Sequence, residues 1–149
     1  MRTLAIKALP LITAAALITP AAWAQMSPTG LWKTIDDDTG KAKSLVRIEE
    51  KDGVVTGRIE KLIDPEVADP KCIECTDERK DKPVVGLTIL RNLKKNGDSE
   101  PTWEGGDVLD PKNGKVYRAR IRPIDGGKKL QMRGYLGPFY RTQEWIRVE

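Results

Sequence analysis

The sequence predicts an all-β fold, a single up-and-down antiparallel barrel of about eight strands. Turn signals recur at short intervals, and pairs such as Asp52-Gly53 and Asn113-Gly114 tolerate the positive φ of tight hairpin turns. A barrel also removes the exposed edges that a small open sheet would have to protect. The predicted strands are Gly30–Ile35, Ser44–Glu50, Val54–Ile63, Val84–Asn92, Trp103–Leu109, Lys115–Ile124, Lys128–Leu136 and Tyr140–Val148.

Alternation of residue types along the predicted strands supports this fold. Successive side chains of a strand point to opposite faces, so a period of two places one face on a core and the other on solvent. The alternating sets are Tyr117, Ala119 and Ile121 against Arg118, Arg120 and Arg122 in the sixth strand, and Leu130, Met132, Gly134 and Leu136 against Lys129, Gln131, Arg133 and Tyr135 in the seventh. A two-sheet sandwich made from the same strands is the alternative architecture.

Residues 1–24 have the organisation of a cleavable signal peptide, which leaves residues 25–149 as one domain. Arg2 and Lys7 form a basic start, an apolar run follows, and Ala22-Trp23-Ala24 has the small residues of a cleavage site. The run is short and interrupted by prolines, whereas a spanning helix needs about 20 apolar residues. A retained membrane anchor or an ordinary apolar helix is the alternative. We expect cleavage after Ala24 and a soluble periplasmic or secreted domain with no transmembrane segment.

Charge and residue content narrow the class of function. Residues 1–24 contain two cations and no acidic residue, so the formal net charge of +4 falls to +2 after cleavage. So weak a charge on an exported protein argues against nucleic acid as a partner. The chain has no histidine, the usual general base, and lacks the nucleophile, phosphate-loop and zinc-protease motifs. We therefore expect no catalytic residues, no cofactor and no enzymatic activity.

Cys72 and Cys75 are the two cysteines of the chain, and they lie in a long predicted connection after the third strand. In an oxidising compartment a structural disulfide is the default. A redox dithiol is the second interpretation, but no thioredoxin-like βαβ unit surrounds the pair. Zinc is the third and would need carboxylates or a second chain as further ligands. We expect the disulfide and no metal site; the segment from Asp110 to Gly114 is interpreted as a turn, since its spacing differs from a calcium loop.

The two ends of the domain resemble the calycin superfamily, which includes lipocalins and fatty-acid-binding proteins. Gly30-Leu31-Trp32 lies in the first predicted strand and Glu144-Trp145-Ile146-Arg147 in the last. In calycins a Gly-x-Trp on the first strand packs under the barrel, and a basic residue of the last strand lies across the indole. The resemblance implies that Trp32 closes one barrel end and that Arg147 stacks on it.

A closer resemblance extends over nearly the whole domain and concerns a bacterial envelope family catalogued as domain of unknown function 2147. It implies an exported, lipocalin-like protein and no established activity. The matching stretches are Gly30-Leu31-Trp32, Cys72-Ile73-Glu74-Cys75, Gly86-Leu87-Thr88-Ile89-Leu90, Trp103-Glu104-Gly105-Gly106, the run from Asp110 to Tyr117, Arg133-Gly134-Tyr135 and the run from Gln143 to Arg147.

Basic residues recur at alternate positions in the last three predicted strands, accompanied by aromatic residues. If these strands are neighbours, the result is either a solvated exterior face or a docking surface, partly lumenal, for an anionic ligand. The predicted ligand contacts are Arg118, Arg120, Arg133, Tyr135 and Trp145. Two functions are consistent with this pattern. One is a periplasmic, non-enzymatic binding module for a small apolar or amphipathic anionic ligand, and the other is a cell-envelope protein-interaction domain with a solid core.

Overall fold

The computed structural model describes residues 26–97 and 100–149, which form eight β-strands joined by turns, one long connection and a turn of 3-10 helix at Asp125–Gly127. The predicted signal peptide and its cleavage after Ala24 lie outside the described residues. The strands are β1 (Gly30–Ile35), β2 (Ala42–Lys51), β3 (Val54–Leu62), β4 (Thr88–Asn96), β5 (Thr102–Leu109), β6 (Val116–Ile124), β7 (Lys129–Leu136) and β8 (Phe139–Arg147).

The strands close into an antiparallel barrel in the order of the sequence, which confirms the predicted fold. β1 and β8 complete the barrel through two residue pairs, Trp32 with Arg147 and Lys33 with Ile146. The other neighbouring strands share longer ladders. The seam between β1 and β8 is therefore the part of the wall with the shortest backbone pairing.

The two ends of the barrel carry different connections. Because neighbouring strands are antiparallel, connections 36–41, 63–87, 110–115 and 137–138 lie at one end, which we call the mouth. The other end, at which β1 begins and β8 ends, we call the base. The long connection 63–87 folds over part of the mouth.

Buried contacts hold the connection 63–87 in place. Cys72 and Cys75 form the predicted disulfide, which is confirmed, and both are buried. Arg79, only 5% exposed, donates from Nη1 to the carbonyl oxygen of Thr88 and from Nη2 to the carboxylate of Asp77. These contacts join the connection to the first residue of β4.

Large apolar side chains fill the barrel from the base upward. Trp32 and Trp145 are almost completely inaccessible to solvent, and Trp103 is 5% exposed. The other buried side chains of the strands include Val46, Ile48, Val55, Ile59, Leu90, Leu93, Ile121 and Leu130. Eight-stranded barrels are just wide enough to be filled by side chains or to hold one small ligand, and here side chains occupy the interior toward the base.

β4 is displaced along the chain from the predicted strand Val84–Asn92 and runs from Thr88 to Asn96. Val84 and Leu87 are buried, but they lie in a tight turn at which the amide of Gly86 donates to a carbonyl oxygen of β3. The φ of Gly86 is +91°, in the region that favours glycine. The other predicted strands differ from the observed ones only at their ends.

Candidate functional site

Four of the five predicted ligand contacts lie on the outer face of the barrel. On β6 and β7, Arg118 is paired with Tyr135 and Arg120 with Arg133. The intervening residues, such as Ala119, are buried on the inner face. The arginine face is therefore exterior, and the lumenal position considered for it is not observed.

Trp145 lies on the opposite side of the wall from these four residues. It pairs with Leu130 on the inner face, is 1% exposed, and donates from Nε1 to Oε1 of Gln143 at 3.1 Å. Strand alternation on β8 directs Trp145 into the core. The structure thus brings four of the predicted residues together and separates Trp145 from them.

Three guanidinium groups border one small cleft on the outer face. Arg120, Arg122, Arg133 and the amide of Gln131 line a cleft of about 120 Å³, which we call the arginine cleft. They come from two adjacent strands in direct register, because Arg122 is paired with Gln131. Donors from four side chains therefore face a volume that is suitable for one carboxylate, phosphate or sulfonate group.

The charge of the cleft is only partly compensated by acidic neighbours. Arg122 contacts Glu100 at 3.0 Å, and Arg120 lies 3.6 Å from Glu104. Arg133 forms no ion pair with a described residue and instead donates to the hydroxyl of Thr142. The buried Nε of Arg122 has no hydrogen-bond partner within the described part of the chain. The excess positive charge favours an anion at this position.

Two tyrosines hold the neighbouring arginines against the surface. The guanidinium carbon of Arg118 lies 5.4 Å from the ring centroid of Tyr135, and that of Arg133 lies 4.5 Å from the ring centroid of Tyr140. The two rings lie 5.8 Å apart at the mouth end of β7 and β8. Stacking of this kind restricts the guanidinium groups while leaving their edges able to donate hydrogen bonds.

Arg122 and Gln131 were absent from the predicted contacts, although both line the cleft. Arg122 shares a strand face with Arg118 and Arg120, and that pattern was visible in the sequence. The position of Gln131 required the register between β6 and β7, which sequence alternation does not fix. Within residues 26–97 and 100–149, no cluster of three or more acidic or cysteine side chains is arranged to hold a metal ion.

Trp32 and Arg147 lie together at the base, and neither lines the arginine cleft. The guanidinium group covers the indole ring, and burial lowers the pKa of Arg147. The indole Nε1 donates to the carbonyl oxygen of Pro28 at 2.7 Å. These contacts are structural, because the indole ring of Trp32 and the guanidinium face that covers it point into the protein.

An open groove of about 530 Å³ lies elsewhere, over β4 and β5. Its lining includes Lys94, Lys95, Asn96 and Glu104. The amide of Asn96 already donates to the carboxylate of Glu104, and the groove is broad and exposed. Its breadth makes it a poorer match than the arginine cleft for one small anionic group.

The closed barrel of eight antiparallel strands is a lipocalin-like fold. The solved structure of protein HP1028 from the human pathogen Helicobacter pylori, described as belonging to the lipocalin family, superposes with a TM-score of 0.70 and 20% sequence identity, over 83% of this chain and 84% of that chain. Residues 30–147 match the family described as "Uncharacterized protein conserved in bacteria (DUF2147)", and the chain belongs to this family. No curated protein matches the chain in sequence. No helix of the described ranges has the length and apolarity needed to cross a bilayer.

Proposed function

We propose that this protein is an exported, non-enzymatic binding module of the periplasm that holds the acidic group of a small amphipathic anion in the arginine cleft. The observation that carries the proposal is the convergence of Arg120, Arg122 and Arg133 with Gln131 around about 120 Å³ of space. Export is supported by the signal-peptide features of residues 1–24 and by the disulfide, since such bonds persist in oxidising compartments.

The chemistry of the cleft fits one end of such a ligand. Arginine presents a planar set of donors that matches carboxylate and phosphate oxygens. Arg118, stacked on Tyr135, lies two residue pairs closer to the mouth than Arg120 and Arg133. An apolar group attached to the anion would lie along this aromatic and aliphatic surface. The ligand therefore binds on the outer wall, because the inner face toward the base is occupied by side chains.

Titration with a fluorescent amphipathic anion tests this function. Anilinonaphthalene sulfonate is the probe, and decanoate below its micelle concentration is the competitor. Arg122→Gln and Arg133→Gln should each weaken binding about ten- to a hundredfold, which corresponds to a charge-assisted hydrogen bond of about 1.5–3 kcal/mol. Arg58→Gln, at an exposed arginine on β3, removes the same charge elsewhere and should leave binding unchanged. Absence of saturable binding, or equal binding by all variants, would refute the proposal.

A second candidate is a protein-interaction domain of the cell envelope that takes no small ligand. The side chains that fill the barrel toward the base favour it, because such a domain needs a packed core. Native mass spectrometry of the protein purified from its own compartment separates the two functions. A retained small anion supports the binding module, whereas a bare chain recovered with a crosslinked protein partner supports the interaction domain.

A further inference from the structure

The turn between β7 and β8 exposes large apolar side chains at the mouth. Leu136 is 56% exposed and Phe139 is 77% exposed, and the two residues are paired across the turn. The adjacent Tyr140 is 61% exposed. We call residues 136–139 the hairpin tip. No described part of the chain covers it, so its apolar surface is available to a partner.

Residue types change in a fixed order from the hairpin tip toward the base. The apolar tip is followed by the paired rings of Tyr135 and Tyr140, with Arg118 beside Tyr135 on β6. Arg120 and Arg133 follow two residues further, about 7 Å along the strands at about 3.3 Å per residue. Leu136 and Phe139 continue the inner face and project beyond the rim, whereas the tyrosines and arginines lie on the outer face. With distance from the tip, the order is thus apolar, aromatic and then cationic.

We infer that the hairpin tip docks the barrel on an anionic lipid surface, with Leu136 and Phe139 entering the acyl region and Arg118 and Arg133 at the phosphate layer. Tyrosine is favoured at the interface between acyl chains and headgroups. Arginine beside that layer is attracted to acidic lipids, and its long stem lets the charged end reach them. The inference shares Arg133 with the proposed function but requires no small ligand in the arginine cleft.

Charge complementarity selects the lipid surface as the occupant. Arg118 and Arg133 form no ion pair with a described residue and are held by aromatic rings instead. Beside the tip on its β8–β1 side, Asp37 and Asp38 pair with Arg141. The side of the tip next to β6 and β7 therefore carries excess positive charge. We expect the barrel to tilt so that this side faces the lipid.

The shape of the tip also favours lipid over a folded protein. A standard protein interface buries about 800 Å² on each partner, far more than a four-residue hairpin tip exposes. A lipid surface deforms around a narrow convex tip, and amphipathic elements enter it by about 5–10 Å. That depth brings the tyrosine rings to the boundary between acyl chains and headgroups and places the arginines at the phosphate layer.

Vesicle co-sedimentation of the purified protein tests the inference. Vesicles of phosphatidylcholine alone are compared with vesicles that contain about 30% phosphatidylglycerol. The wild type should bind only the anionic vesicles, and binding should weaken as salt is raised. Leu136→Ser/Phe139→Ser and Arg118→Gln/Arg133→Gln should each lower the partition coefficient about tenfold or more. Val67→Ser, at another apolar residue of the same end with 61% exposure, should bind like the wild type.

Two results would overturn the inference: equal binding of the wild type to both vesicle types, or unchanged binding by the Leu136/Phe139 double variant. Circular dichroism of each variant establishes that it is folded. Titration of the same Leu136/Phe139 variant with anilinonaphthalene sulfonate keeps the two proposals apart. If the Leu136/Phe139 variant still binds the probe but no longer binds vesicles, the result supports docking by the tip alone. If the wild type binds vesicles but does not bind the probe, only the proposed function is refuted.

Discussion

The guanidinium carbon of Arg147 lies 4.1 Å from the centroid of the Trp32 ring, so the last strand covers the aromatic side chain of the first. The same guanidinium donates hydrogen bonds to the carbonyl oxygens of Ser27, Thr29 and Gly127. One side chain thus joins the segment before β1, the connection between β6 and β7, and β8. It fixes the base at the place where the barrel closes through only two residue pairs.

Substitution of Trp32 and Arg147 should show strong coupling. Trp32→Ala should lower the free energy of unfolding by about 3–5 kcal/mol, because it empties a large fully buried volume. Arg147→Ala should cost about 1.5–3 kcal/mol through the lost hydrogen bonds. The double variant should lose less than the sum, since contacting residues couple. Urea unfolding measures all three, and simple additivity would contradict the stacking as an energetic contact.

The sequence was sufficient for the fold because its signals are local. Alternation on β6 divided Arg118 and Arg120 from Ala119 and Ile121 without any knowledge of the partner strands, and the barrel places these two sets on opposite faces. Turn residues fixed the strand number in the same way. These signals depend only on neighbours within a few positions along the chain.

The candidate site was less predictable because it depends on register and curvature. On β8, the predicted contact Trp145 shares a face with the basic residue Arg141, yet that face points inward, and Arg141 remains solvated because it lies near the mouth. Arg141 is therefore a polar residue on the inner face, whereas the alternation of residue types alone predicts an outer position for it. The cleft itself needed the pairing of Arg122 with Gln131.

The carboxylate of Asp77 should contribute stability that is lost in acid. Hydrogen bonds from the side chain and the backbone amide of Arg79 lower its pKa from 3.8 to about 2. A group whose pKa is lower in the folded state stabilises the fold above its unfolded pKa, and this contribution disappears as pH falls through the folded value. Asp77→Asn should therefore be less stable than the wild type at pH 5–7 by about 1–2 kcal/mol. The difference should shrink between about pH 4 and pH 2.

Urea unfolding of the two proteins across this pH range measures the effect. The difference between them isolates Asp77, because the pKa of Asp36 is also lowered, mainly by the backbone amide of Thr39, and contributes equally to both. A stability difference that stayed constant down to pH 2 would show that the Asp77 carboxylate does not carry the effect.

The mouth end of the seam between β1 and β8 is bridged by side chains instead of a backbone ladder. Arg141 contacts Asp37 and lies 2.8 Å from Asp38, and the amide of Gln143 donates to Asp37 at 3.2 Å. The hydrogen bond with Asp37 is the main reason that the pKa of Arg141 is raised. Loss of Asp37 should open this part of the wall locally.

Hydrogen exchange should detect that opening. Asp37→Ala should speed amide exchange in residues 34–38 and 139–144 about tenfold, with a loss of global stability below about 1 kcal/mol, because exposed ion pairs contribute little. Glu60→Ala, which removes the exposed pair with Arg47 where β2 and β3 share a long backbone ladder interrupted by one bulge, is the matched control. Equal acceleration in both variants, or none in Asp37→Ala, would show that the side-chain bridge does not hold the seam.

Two turns at the mouth have the same backbone geometry but different surroundings. In one, the amide of Gly40 donates to the carbonyl oxygen of Asp36, and in the other the amide of Gly114 donates to that of Asp110. The φ values are +69° for Gly40 and +70° for Gly114. A Cβ on Gly40 would meet nothing within 4 Å, whereas a Cβ on Gly114 would lie 1.9 Å from the carbonyl oxygen of Glu74. The second turn thus supports the disulfide segment by close backbone contact.

Alanine at these two glycines should separate backbone strain from packing. Gly40→Ala should cost about 1–2 kcal/mol, because alanine is strained at positive φ. Gly114→Ala should cost a further 1–3 kcal/mol or so, since Glu74 must move and the Cys72–Cys75 segment moves with it. Thermal and urea unfolding give both values, and hydrogen exchange around residues 72–75 should accelerate only in Gly114→Ala. Equal losses in the two variants would mean that the disulfide segment adjusts freely and does not depend on the turn beneath it.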